Sequence, residues 1–192
     1  MSPAVNAAPR EARCDDAPPG RFGRERTWAA AGLTPGTGLA LSGSSGRCRE
    51  TTTVPGLASR AEPAQAGRDL TRRDLTRRAG RRLDDVAAAE PERVTAWLGA
   101  PSAAPHSGES LRDPAGRVGT WLDSLGGAGA PGANFLAVAE AAVVRAAVVH
   151  GLRLPAEAFW RLDVAWLTLT EPSGRPGRWN VGLGRHLATP AG

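Results

Sequence analysis

Lysine, isoleucine and tyrosine do not occur in the 192-residue chain. Their codons are A/T-rich, so their joint absence points to a GC-rich genome rather than to a function. All 24 cations are arginine, set against 19 acids for a formal charge of +5. Arginine has replaced every lysine, so the basic balance is weak evidence for nucleic acid. Without lysine, a Walker-type nucleotide site is excluded. The two cysteines, Cys14 and Cys48, sit in no metal or redox spacing and read as reduced thiols. His106, His150 and His186 share no metal-ligand spacing, so neither a metal nor another cofactor is expected. No apolar run reaches the roughly 18 residues of a membrane span; the best candidate, 133–149, is interrupted by Glu140 and Arg145. The first ten residues lack the apolar segment of a signal peptide. A cytoplasmic protein with no membrane partner is expected.

What remains is 41% hydrophobic, enough for one core, although Gly and Pro are plentiful at 24 and 16 residues. Residues 1–25, rich in Pro, Arg and Asp, read as disordered or loop, and residues 26–183 as the domain. The glycine-rich end, 184–192, reads as a flexible tail. A short helix is expected at 22–33 with Trp28 as its apolar anchor, then a strand at 38–41, a serine-rich loop, and helical character over 47–54. Residues 60–82 hold eight Arg against Glu62, Asp69 and Asp74, and contain a direct repeat, Asp69-Leu-Thr-Arg-Arg73 and Asp74-Leu-Thr-Arg-Arg78.

The second half is more regular. Residues 83–89 are helical in pattern, and Pro91 opens a helix that Gly99 stops. Asp113 is expected to cap a helix with Val118, Trp121, Leu122 and Leu125 on one face, followed by a flexible link at 126–132. The run 135–139 suits a buried strand, and a helix over 141–150 is stopped by Gly151. A short helix after Pro155, a strand at 164–170, a turn at 172–177 and a strand at 178–181 complete the pattern. Strand and helix in alternation imply an α/β sandwich with a largely parallel sheet.

Four segments resemble the histidine phosphatase superfamily, also called phosphoglycerate mutase-like, and together they span about three quarters of the chain. Leu41-Ser-Gly-Ser-Ser-Gly-Arg-Cys-Arg-Glu-Thr-Thr52 is similar to its Ser-Pro-x-x-Arg-x-x-x-Thr-Ala loop and helix start. Residues 74–86 resemble the segment with Gly-x-Trp-x-Gly. Pro105-His-Ser-Gly-Glu-Ser-Leu111 resembles the Gly-Glu-Ser motif. Residues 135–181, with Phe159-Trp-Arg-Leu-Asp-Val164 and Gly177-Arg-Trp-Asn180, resemble the closing part and are the most specific segment.

The resemblance implies a three-layer α/β sandwich and a site that holds a phosphoryl group between two histidines and at least two arginines. One histidine, in an Arg-His-Gly motif after the first strand, attacks phosphorus, and an acid protonates the leaving oxygen. This sequence departs from that pattern. The match begins near residues 1–6, where Arg-His-Gly should have ended, so the first strand is expected to be missing unless the start lies upstream. The second histidine position is Glu140. The acid position aligns best with Arg72, with the repeat allowing a slip of five residues, and the Trp position aligns with Arg78. Arg47 alone matches the phosphate pocket well.

The expectation is therefore a degenerate, truncated member, a pseudoenzyme or a residual binder of a phosphorylated small molecule through Arg47 and His106. Glu140, at a strand–helix junction, would pair with Arg47 and repel phosphate, or else serve as a solvated helix-start carboxylate. His106 is either near the phosphate or a solvated loop residue. Glu109 suits loop hydrogen bonding, His150 a helix C-terminus, and His186 an exposed tail. The six tryptophans read mainly as core, and Gly43 and Gly46 as loop glycines. The competing class is an Arg-rich module binding nucleic acid or an acidic partner through 60–82, although no aromatic is interleaved there to stack on bases. The oligomeric state is left open.

Overall fold

A computed structural model describes residues 1–4, 18–37, 39–53, 59–61, 88–100, 102, 110, 112–128 and 134–187. Helix α1, Arg21–Ala30, continues as a 3-10 turn, Ala31–Leu33. Strand β1, Leu39–Ser42, leads into α2, Gly46–Thr51, and β2, Ser59–Ala61, follows. Next come α3, Pro91–Gly99, with proline in its first turn, and α4, Arg112–Ala128. Strand β3, Phe135–Val138, is followed by α5, Ala141–Gly151, a 3-10 helix Ala156–Arg161, and the hairpin strands β4, Thr168–Arg175, and β5, Arg178–His186.

Strands β2, β1 and β3 form a parallel sheet in that order, with Leu39 to Ser42 opposite Phe135 to Val138 in register. β3 alternates as a two-sided strand must. Leu136 and Val138 enter a cluster with Ala30 of α1 and Cys48 of α2, while Phe135 meets the Trp121 ring of α4 edge-on at 6.5 Å. A second cluster joins Val118 of α4 to Ala146 and Val149 of α5 and to Phe159. Helices on both faces of a parallel sheet make the three-layer α/β sandwich that the alternation of elements implies.

Among the described residues no strand precedes β1, yet residues 1–4 are buried rather than loose. The Met1 nitrogen donates to Ala137 O at 2.7 Å and Met1 O accepts from Ala139 N at 3.0 Å, one rung of a parallel ladder on the free side of β3. Ser2 N then donates to Thr168 O, and Ala4 N to the Thr51 hydroxyl. These residues bridge the parallel sheet to the hairpin.

Several local expectations shift. Trp28 is 60% exposed rather than an anchor, because α1 buries Gly23, Thr27 and Ala30, one helical stripe that leaves Trp28 outside it. Trp166 is also exposed. Arg60 and Ala61, the first residues of the Arg-rich segment, belong to β2. α4 begins before Asp113, whose carboxylate accepts from both the amide and the hydroxyl of Ser110, half of a capping box. It also extends through Gly126 and Gly127. The hairpin turn is only Pro176–Gly177; Pro172 lies inside β4 opposite Val181, and β4 starts at Thr168 rather than 164. β5 continues through Gly184 to His186, three residues into the stretch read as tail. Residues 62–87, with nearly all of the Arg-rich segment and most of the expected helix at 83–89, lie outside the described residues. No helix among the described residues is long and apolar enough to cross a membrane.

The hairpin is fastened to the helices by a buried-edge network. Asp123 of α4 accepts from the Trp179 indole at 2.8 Å and meets His150 Nε2 of α5 at 3.0 Å. His150 thus bonds across to α4 rather than capping its own helix. Its ring lies so close to Gly119 that a Cβ there would stand 2.4 Å from His150 Nδ1.

Candidate functional site

Parallel strands carry their ligand sites at their carboxyl ends, where loops turn into helix N-termini. Here β1 ends at Ser42 and β3 at Val138, and the loops that follow place Ser45 and Glu140 at the N-caps of α2 and α5. Gly43 N donates to Val138 O at 2.9 Å and locks the two loop starts together. A Cβ on Gly43 would lie 3.2 Å from Cys48 Sγ, so the close approach suits glycine.

Glu140 and Arg47 meet directly. Arg47 Nη2 donates to Glu140 Oε2 at 2.6 Å, and Ser45 Oγ donates to Oε1 at 2.6 Å. The same Ser45 hydroxyl accepts the Cys48 amide at 3.1 Å, so one side chain caps α2 and orients the carboxylate. The Arg47 side chain is 12% exposed and that of Glu140 29%, which makes the pair partly desolvated and charge-assisted. The Arg47 guanidinium also lies over the Trp166 ring at 5.7 Å. Its Nε and Nη1 are buried with no hydrogen-bond partner among the described residues. Two nitrogens of a buried guanidinium thus have no partner among the described residues, while the third is held by the protein's own carboxylate.

Cys48 is a free, buried thiol 3.8 Å from Glu140 Oε1. Burial, then the Glu140 charge, pushes its pKa up to about 12, so at neutral pH it is an inert thiol rather than a nucleophile. What the cluster can do is hold an oxyanion: an arginine and a hydroxyl converge on the place the Glu140 carboxylate occupies. Among the described residues no histidine bonds to Arg47, Ser45 or Glu140, and no group of three or more metal-ligating side chains forms.

Of the residues singled out by sequence, the structure joins Arg47 and Glu140; Arg72, His106 and Glu109 lie outside the described residues. Ser45 and Trp166 were not anticipated. Ser45 carries a legible signal, a serine three residues before the Cys48 amide it caps, whereas Trp166 reaches Arg47 only through tertiary folding.

The chain matches the profile of the Histidine phosphatase superfamily (branch 1) over residues 15–184. No curated protein matches it by sequence. Among solved structures, a mycobacterial glucosyl-3-phosphoglycerate phosphatase in complex with VO3 is 22% identical, covering 96% of this chain and 96% of its own at a TM-score of 0.80. The Bacillus stearothermophilus YhfR protein is 17% identical, over 98% and 96% of the two chains, at 0.82. The alpha-ribazole phosphatase of Shigella flexneri is 16% identical, over 100% and 97%, at 0.75. Such low identities speak for a shared fold, while the profile match extends over most of the sequence: the chain belongs to the histidine phosphatase superfamily, branch 1.

Proposed function

We propose that this protein is a pseudoenzyme of its superfamily, a residual binder of phosphorylated small molecules whose anion pocket is occupied by its own Glu140 carboxylate. The observation that carries the proposal is the 2.6 Å contact of Arg47 with Glu140, with Ser45 on the second oxygen. A phosphate entering here would have to displace or neighbour that carboxylate. At about 4 Å and an effective dielectric of about 20, two unit charges repel by about 4 kcal/mol. A carboxylate at the position the family resemblance gives to its second histidine also offers no imidazole for phosphoryl transfer.

Two measurements test the proposal. Turnover of p-nitrophenyl phosphate from pH 5 to 8 is expected to stay at the level of Arg47→Ala. Turnover that Arg47→Ala abolishes would overturn the pseudoenzyme reading. Calorimetric titration with inorganic phosphate is expected to show binding at least tenfold tighter in Glu140→Gln or Glu140→His than in the parent chain. Equal affinity in all three would refute the self-occupied pocket.

A further inference from the structure

At the opposite end of α5 from Glu140, ten residues and about 15 Å along the axis, lies an open cavity of about 450 Å³ between α4, α5 and the tip of the β4–β5 hairpin. That volume is in the range of small-molecule sites. Its apolar wall comes from Ala146, Val149 and Leu154, and beside Gly116 it is open, since a Cβ there would meet nothing within 4 Å. Trp179 supplies an aromatic wall, pinned by its indole bond to Asp123. Both Asp123 oxygens are already engaged, one by Trp179 and one by His150, so this acid is not free to select a cation.

The available charge is Arg153. It is exposed, lines the cavity, and among the described residues commits only Nη2, to Gly177 O at 2.5 Å. Its backbone adopts φ 52°, a conformation that ordinarily belongs to glycine at a helix end. A charged, non-glycine residue held there places its guanidinium where the cavity opens. The α5 carboxyl end does not oppose an anion strongly, because the carbonyls of Val148, Val149 and His150 already accept from Leu152, Leu154 and Arg153.

We infer that this cavity is a second binding site, distinct from the Arg47 cluster, for a small organic anion with an apolar body: the body against Val149, Leu154 and the Trp179 indole, the acid group on Arg153. The probe is 8-anilinonaphthalene-1-sulfonate, followed by fluorescence and calorimetric titration of the full chain. Saturable uptake of one equivalent is expected. Arg153→Glu should weaken it at least tenfold, and Arg47→Ala should leave it unchanged. Gly116→Phe should abolish it: a Cβ at Gly116 meets nothing within 4 Å, so the ring can enter the cavity without disturbing α4. Circular dichroism of each variant matching the parent excludes loss of fold as the cause. Uptake that does not saturate at one equivalent, or that survives either Arg153→Glu or Gly116→Phe, overturns the inference.

Discussion

Arg47 and Glu140 depend on each other unequally. Arg47 is the more deeply buried partner, so removing the Glu140 charge strands a cation with two donors already unpartnered among the described residues, whereas removing Arg47 leaves a carboxylate that water can reach. A buried group that loses its charged partner costs about 2–3 kcal/mol. Glu140→Gln is therefore expected to lower the melting temperature by several degrees, more than Arg47→Ala lowers it. Inorganic phosphate should then raise the melting temperature of Glu140→Gln by more than that of the parent chain, because only in the variant is the resident carboxylate charge gone. Scanning calorimetry with and without phosphate reads both effects. Gly119 poses the same kind of question in sterics. Its missing Cβ is space used by the His150 imidazole, and Gly119→Ala should destabilise by about 1–3 kcal/mol despite the better helix propensity of alanine, as urea unfolding would show.

At the scale of elements, the ends of helices carry most of the information and most of the surprises. α5 was legible from sequence as an apolar stretch between Glu140 and Gly151, yet its left-handed terminal residue is Arg153 rather than a glycine. A side chain in that conformation costs about 1 kcal/mol relative to glycine. Arg153→Gly should therefore be about 1 kcal/mol more stable than Arg153→Ala, both variants having lost the bond to Gly177, when compared by denaturant titration. β1, β3 and the helices after them were readable because their periodicity or apolar runs are local. β2 was not, since its three residues, Ser59–Ala61, become a strand only through pairing with β1. The hairpin was misread for a related reason. Proline and glycine at 172 and 174 look like a turn, but Gly174 accommodates φ 132° within the strand, and Pro172 sits opposite Val181, beyond the register shift at Leu169/Glu171. Of the site, Arg47 and Glu140 were visible as motif positions, while Trp166 depended on a turn at residues 166–167 that no motif announces.

For the molecule as a whole, cohesion between the helical layer and the hairpin rests heavily on Asp123. The Trp179 indole bond foremost, aided by His150, holds its carboxyl below the usual carboxylate range. A depressed folded pKa stabilises the protein above the unfolded value, near 4, and that stabilisation is lost as pH falls through the folded value. Acid unfolding should therefore set in below about pH 4, with Asp123→Asn starting less stable at pH 7 and showing a shallower loss across that window, as pH-dependent calorimetry would show. Cys48 offers a different view of the same molecule. Its thiol lies beneath the Ser45–Glu140 contact and is fully buried, so an alkylating reagent reaches it only in the moments when α2 lifts away from β3. The rate at which mass spectrometry finds Cys48 labelled, read on its own peptide apart from that of Cys14, becomes a clock for those openings, and a mutation or ligand that loosens the Glu140 latch would make it run faster.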